Sequence, residues 1–318
     1  MLHRSWQTAM IGLARSPAVK AFMQGGHATS SLAARYIAGA TPESAVARAC
    51  SLAEHSGVRS SVSYLGEYVE TLALVAENAA NQLAAIEALG RAGLDVHLSV
   101  DPTQVGHGLD PAVARRHLFT LAEAIAHASD NRPGVHCLML DMEDQSVTDA
   151  TIALHDALRR AGLPAALTLQ AYLRRTEGDI SAQVRAGARV RLVSGAFAAR
   201  SDALTRRRQV KANFRRLVDL MFARAARDAG FYPIVATHDD RLHAHALERA
   251  EIGGWRPGEY EFEMLLGIRG DVVNDLAGRG QRVRLYLPFG GDWWPYAARR
   301  IGERPRNAWL LARSVLAR

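Results

Sequence analysis

Arg299, Arg300 and Glu303 stand at a spacing that would gather them on one helical face near the C-terminal end of the chain. Residues three or four apart are neighbours on a helix, so Glu303 can hold one guanidinium while the other is left for a ligand. Two adjacent guanidinium forks suit a carboxylate, which arginine grips bidentately. The same spacing also occurs as an ordinary solvated ion-pair face. A second set, His238, Asp239, Asp240, His243 and His245 in THDDRLHAH, has the donor types of a metal-dependent hydrolase. Most of that set falls at the start of a helical stretch, where the helix dipole favours aspartate, and the remaining ligands would have to come from other strands. A third feature is the basic run TRRRQVKANFRR (205–216). Its cations suit a nucleic acid or an anionic bilayer, but Val210, Phe214, Leu217 and Leu220 form an apolar stripe at helical spacing. The expectation is a helix whose cations cover its outer side, with no nucleic-acid partner.

Such groups need a scaffold, and the chain from residue 61 onward supplies a regular one. Eight short apolar runs recur: 61–65, 96–100, 135–141, 166–170, 190–195, 233–238, 260–265 and 283–289. Between them lie amphipathic stretches such as Thr71 to Arg91, Asp110 to Ser129, Ser146 to Ala161 and Thr205 to Asp228. Alternation of this kind predicts parallel strands joined by crossover helices, and eight repeats predict an α/β fold of the (β/α)8, TIM-like barrel type. The stretch 61–318 has the usual length of such a barrel, about 250 residues. Residues 1–60 read as an N-terminal helical extension, with helices over 32–39 and from Pro42 to His55, the second capped by Thr41. An open doubly wound sheet is the rival, but neither GxGxxG nor GxxxxGK[ST] is present. In a barrel the reactive groups collect at the C-terminal strand ends. Those ends carry Glu67, Asp101, Asp141 with Glu143, Gln170, Arg191, His238, Glu263 and Tyr286.

The 318 residues carry 39 Lys+Arg against 32 Asp+Glu, a formal charge of +7, with 48% hydrophobic and 22% charged residues. That composition excludes a disordered or collagen-like chain. Cys50 and Cys137 are too few and too far apart for a disulfide framework or a cysteine zinc site, and no metal is expected. There is no uninterrupted apolar run of about 18 residues. A cytoplasmic protein is expected, with any membrane contact peripheral to the inner face.

The segments YLGE (64–67), LDMED (140–144), LQAYLRR (169–175), RLVSGAF (191–197), ATH (236–238), YEFEMLLG (260–267) and RLYLPFGGDWWPYAARRIGERPRN (284–307) resemble, in order, those of the proline dehydrogenase family, flavin-dependent barrel enzymes. The resemblance implies FAD at the barrel mouth. It also implies hydride transfer to flavin N5 from the carbon beside a secondary amine, with electrons passed to a quinone or another acceptor. It implies Arg191 beside N5, and Gln170, Val193, Gly195, Ala196, Thr237, His238 and Glu263 along the cofactor. Arg299 and Arg300 would take the substrate carboxylate, supported by Glu303, with Glu67 pairing the first arginine when the site is empty. Asp141, Leu192 and Tyr286 would lie on the substrate side.

Three positions depart from the family pattern. A lysine in a pattern like SLKLTQLG is Asp101 in LSVDPTQVG, and RLVKGAY reads RLVSGAF, with Ser194 for lysine and Phe197 for tyrosine. Exchanging a cation for an anion near a carboxylate is a large change, since a unit-charge pair about 4 Å apart at an effective dielectric of about 20 is worth roughly 4 kcal/mol. The substrate expected from the resemblance and its departures is proline or a close cyclic or secondary amine, or else a related, more nitrogen-rich amine.

Overall fold

Short apolar strands and helical stretches alternate as expected from Arg59 to Gly302. The structure, a computed structural model, describes residues 34–66, 69–195 and 202–302, together with residue 19. In chain order the elements are α1 (Pro42–Ser56), β1 (Arg59–Tyr64), α2 (Leu72–Arg91), β2 (His97–Val100), α3 (Pro111–Ser129), β3 (Cys137–Leu140), α4 (Thr148–Arg160), β4 (Ala165–Gln170), α5 (Thr176–Arg185), β5 (Arg189–Val193), α6 (Arg207–Met221), α7 (Arg224–Asp228), β6 (Tyr232–Ala236), α8 (Asp240–Ile252), β7 (Glu261–Leu265), α9 (Gly270–Gly278), β8 (Val283–Phe289) and α10 (Trp294–Gly302). The strands form one closed parallel barrel in sequence order, and β1 closes on β8 from Arg59↔Arg284 to Tyr64↔Phe289.

The helices start where polar caps allow. The Thr41 side chain accepts from Ser44 N–H at 3.3 Å while Thr41 N–H donates to Ser44 Oγ at 3.1 Å, a reciprocal cap for α1. Thr71 and Asp110 cap α2 and α3 in the same sense, accepting from Leu74 N–H at 3.3 Å and Ala112 N–H at 2.8 Å. One expectation needs correction. Residues 37–39 leave the helical path, because Ala38 N–H donates to Pro288 O at 2.7 Å and Gly39 O accepts from Gly290 N–H at 3.0 Å, tying this stretch to the end of β8. The stretch from Thr205 to Asp228 holds two crossover helices, α6 and α7, and between them the Phe222 carbonyl accepts the Trp255 indole N–H at 2.8 Å.

Two packed layers follow from strand alternation. Leu98, Leu140, Leu167, Leu192, Phe262 and Leu285 point outward and pack with helix residues such as Leu118, Phe214 and Leu217. The opposite faces fill the barrel, where Cys137, Met139, Ala166 and Ile234 cluster. Charge is buried there as well. At the N-terminal end of the barrel Arg284, fully buried, donates from Nε and Nη2 to Glu261 at 2.7 and 3.1 Å, from Nη2 to Asp95 at 2.8 Å, and from Nη1 to the Ser60 carbonyl at 2.7 Å.

His97, paired in register with Cys137, is also fully buried, and neither ring nitrogen has a hydrogen-bond partner among the described residues. Burial, reinforced by the charges of Arg284 and Arg191, holds its pKa well below the ordinary imidazole range. Burial lowers His155 and His243 in the same direction. A group whose folded pKa is depressed contributes stability that is present above its unfolded value, about 6.5, and lost as pH falls. The urea midpoint is therefore expected to decline from pH 7.5 to pH 5, with a shallower decline in His97→Leu. An unchanged slope in that variant would remove His97 as the cause.

Candidate active site

Period two on β5 turns Arg189, Arg191 and Val193 toward the barrel interior and Leu192 away from it. Arg191 is 4% exposed and is gripped on every side. Its Nη1 donates to Glu263 at 2.9 Å and to Ser99 Oγ at 3.2 Å, its Nε donates to Thr168 Oγ1 at 3.0 Å, and its Nη2 pairs with Asp141. The partners come from β7, β2, β4 and the end of β3, so barrel closure assembles the set. Glu263 Oε1 accepts a further hydrogen bond from Ser61 Oγ at 2.7 Å.

Tyr286 completes this layer. Its hydroxyl donates to Asp141 Oδ2 at 3.1 Å, and the Arg191 guanidinium carbon lies 5.6 Å from its ring centroid. Burial first, and the charge of Asp101 next, push the Tyr286 phenol up from its ordinary pKa, so it remains a hydrogen-bond donor at neutral pH. Asp101 precedes the 3-10 turn Pro102–Val105, which places its charge beside the same mouth. Gln170 ends β4 with its Nε2 donating to the Glu143 carbonyl at 2.8 Å. The Glu143 side chain accepts from Thr103 N–H at 3.1 Å, so it ties two loops together.

Two buried atoms in this region, Gln170 Oε1 and Glu263 Oε2, have no partner among the described residues. Buried polar atoms are nearly always satisfied, so these are the positions at which a polar ligand with N–H donors would fit. Thr237 follows β6; its hydroxyl accepts from Asp239 N–H at 3.2 Å and its carbonyl accepts from His243 Nε2 at 3.0 Å. The His238 side chain is partly exposed beside it. Gly195 has φ +99°, and a Cβ there would meet the Tyr172 ring at 2.0 Å, so glycine is required for packing as well as for backbone conformation. Arg300 on α10 stacks on Tyr296 with its guanidinium carbon 5.4 Å from the ring centroid. Arg299 lies on the same helix, one residue before it.

A sequence model of the family described as proline dehydrogenase matches residues 46–308. The chain belongs to the proline dehydrogenase family. It is 33% identical to the proline dehydrogenase of Deinococcus radiodurans over 319 residues, covering 99% of each chain. It is likewise 33% identical to proline dehydrogenase 1 of Bacillus subtilis strain 168 over 290 residues, covering 89% of this chain and 90% of the relative. Among solved structures, proline utilization A of Bdellovibrio bacteriovorus inactivated by N-propargylglycine superimposes with a TM-score of 0.77 at 18% identity, over 86% of this chain and 32% of the other. Proline utilization A of Corynebacterium freiburgense gives 0.72 at 20% identity, over 99% of this chain and 34% of the other. The chain thus spans about a third of those larger proteins and shares their barrel fold.

As a member of the proline dehydrogenase family the chain is an oxidoreductase of the CH–NH class, and its expected site residues fall into groups. Asp141, Arg191, Glu263 and Tyr286 meet in one bonded layer, with Asp101 close enough to Tyr286 to influence it. Gln170, Val193, Gly195, Thr237 and His238 lie at the C-terminal ends of β4, β5 and β6, the mouth side. Leu192 is a correction: it is fully buried in the outer core between sheet and helices and cannot line the mouth, because it is one residue out of phase with Arg191. Glu67, Ala196, Phe197, Glu303 and the Arg299 side chain lie outside the described residues.

Ser61, Ser99 and Thr168 were not singled out by sequence reasoning, yet they hold Arg191 and Glu263. Each sits at an inward position two residues from another site residue or its strand neighbour, which was the available signal. The histidine and aspartate set does not converge. Asp239 caps α8, His243 packs on Phe262 at 5.3 Å, and His245 pairs with Asp219 on α6 at 2.8 Å. Among the described residues no three His, Cys, Asp or Glu side chains gather as a metal centre requires.

Proposed function

We propose that the chain binds FAD at the C-terminal mouth of the barrel and oxidises proline, or a close cyclic or secondary amine, to the imine. The observation that carries this reading is the buried Arg191, held by Asp141 and Glu263 beside Tyr286, in a chain whose family model spans residues 46–308. Gln170, Arg191, Val193, Gly195, Thr237, His238 and Glu263 would hold the cofactor, and the two unpartnered acceptors, Gln170 Oε1 and Glu263 Oε2, fit its N–H groups. When bound, the flavin supplies a two-electron acceptor for the hydride that leaves the carbon next to nitrogen.

The chain's own residues do the rest. Arg191 is a fixed cation that favours an electron-rich partner, and its hydrogen bonds to Thr168 and Ser99 keep it from swinging out to solvent. Asp141 holds Arg191 with one oxygen and Tyr286 with the other, which sets the wall against which a substrate would lie. Arg299 and Arg300 are the carboxylate grip. The substrate nitrogen must be neutral before hydride can leave, so turnover is expected to rise with pH through the ionisation of the bound amine.

Asp101 favours a second reading, in which the substrate is a more nitrogen-rich amine. Its carboxylate acts on Tyr286 from the mouth side, where it would oppose a substrate carboxylate and attract a second amine. One experiment tests both. Purified protein is inspected for flavin absorbance and then titrated anaerobically with a panel of amino acids and amines. Bleaching by proline at low concentration supports the first reading, and bleaching only by diamine-like analogues supports the second. Bound metal with no flavin would refute both.

The reading extends to a quinone or similar acceptor and to a cytoplasmic enzyme touching the inner membrane face. Cys50 and Cys137 are both free, and Arg206, Arg207, Arg208 and Arg215 are exposed at and along α6. No helix among the described residues is long and apolar enough to cross a membrane. Co-sedimentation with anionic vesicles that vanishes at high salt tests this contact.

A further inference from the structure

Two guanidinium clusters lie inside this barrel, and they are built differently. In the lower one, Arg284 faces two carboxylates, and both oxygens of Glu261 are engaged: Oε1 by Arg284 at 2.7 Å, Oε2 by Arg284 at 3.1 Å and by the Tyr232 hydroxyl at 3.4 Å. In the upper one, Arg191 again faces two carboxylates, Asp141 and Glu263. Glu263, however, concentrates its hydrogen bonds on one oxygen. Oε1 accepts both from Arg191 at 2.9 Å and from Ser61 at 2.7 Å, while Oε2 is buried with no partner among the described residues.

A guanidinium needs only one carboxylate to be neutralised, and Asp141 already provides it while also accepting from Tyr286. The second carboxylate is therefore surplus to pairing. It is 3% exposed, so water does little to screen it. We infer that Glu263 sets the electron affinity of the site: its carboxylate offsets the field of the Arg191 guanidinium it contacts and lowers the reduction potential of a flavin bound at the mouth. Ser61 modulates the effect, because its hydroxyl withdraws part of the carboxylate's charge. This rests on the reading that flavin binds beside Arg191. It goes beyond that reading by assigning the tuning to a carboxylate, and not to the arginine alone.

The test is the midpoint potential of the bound flavin, supported by the affinity for sulfite, which adds more readily to electron-poor flavins. Glu263→Gln keeps the shape and an Oε1 acceptor for both Ser61 and Arg191, but removes the charge. The reduction equilibrium is expected to shift at least tenfold toward the reduced form, about 30 mV more positive for a two-electron couple. Sulfite binding should tighten by a similar factor. Ser61→Ala leaves the carboxylate and removes a hydrogen bond to it, so the midpoint is expected to move the opposite way. If Glu263→Gln fails to fold or to hold flavin, Ser61→Ala alone decides by the sign of its shift. A merely structural glutamate predicts unchanged potentials in both variants, and that result, with flavin retained, overturns the proposal while leaving the flavin reading intact. A wild-type protein that takes up no flavin overturns both.

Discussion

Replacing Arg191 by methionine is expected to cost about 3–5 kcal/mol of folding stability, the usual scale for removing one partner from a buried ion pair. The cost arises because Asp141 and Glu263 would be left in the barrel without the cation that both contact. Ser99 and Thr168 would each lose a donor as well. On the proposed flavin reading, reduction by substrate should slow by roughly 10²- to 10³-fold, as when one preorganised electrostatic group is taken from an active site. Urea unfolding and single-turnover bleaching separate the two effects. The triple variant Arg191→Met, Asp141→Asn, Glu263→Gln should recover much of the lost stability, since no buried charge remains, but none of the lost rate. Wild-type stability in the single variant would mean that the carboxylates find other partners, and the layered account of the mouth would be wrong.

Arg284→Met makes a complementary prediction at the other end of the barrel. Arg284 is fully buried and bonded to Glu261, Asp95 and the Ser60 carbonyl. Desolvation works against the Asp95 carboxylate, yet the guanidinium beside it keeps the net pKa below the usual range, so the pair is charged. Removing the arginine is expected to destabilise the fold by about 3–5 kcal/mol and to lower the thermal midpoint by roughly 10 °C. Unlike the Arg191 variant, whatever folds should turn over at close to the normal rate, because β8 carries Arg284 two residues below Tyr286, about 7 Å away along the strand. A variant of normal stability and poor turnover would show that the lower cluster belongs to the chemistry.

Much of this architecture was legible in the chain. Eight short apolar runs, each followed by a glycine-rich or polar break, became the eight strands, Thr41 capped its helix as expected, and the stretches beginning at Thr71 and Asp110 became helices. These are local effects, decided by backbone preference and by which face of a short element is apolar. The family likewise followed from contiguous motifs. What was illegible depended on contacts between distant segments. Nothing near Phe222 announces that an indole 33 residues on will take its carbonyl. Nothing near Ala38 announces its bond to Pro288.

The site divides in the same way. The residue types able to grip an anion or steady a cation, Arg191, Glu263, Asp141 and Tyr286, could be named from their places at strand ends. Their mutual geometry could not. Arg191 meets Thr168, Glu263 and Ser99 across separations of 23, 72 and 92 residues. Leu192, adjacent in sequence, faces the opposite core because the strand's two-residue period sends alternate side chains to opposite sides. The chain by itself determined where strands and helices form and which groups they carry. Only closure of the barrel, with its fixed register between neighbouring strands, decided which of those groups share a buried, weakly screened interior and therefore act on one another.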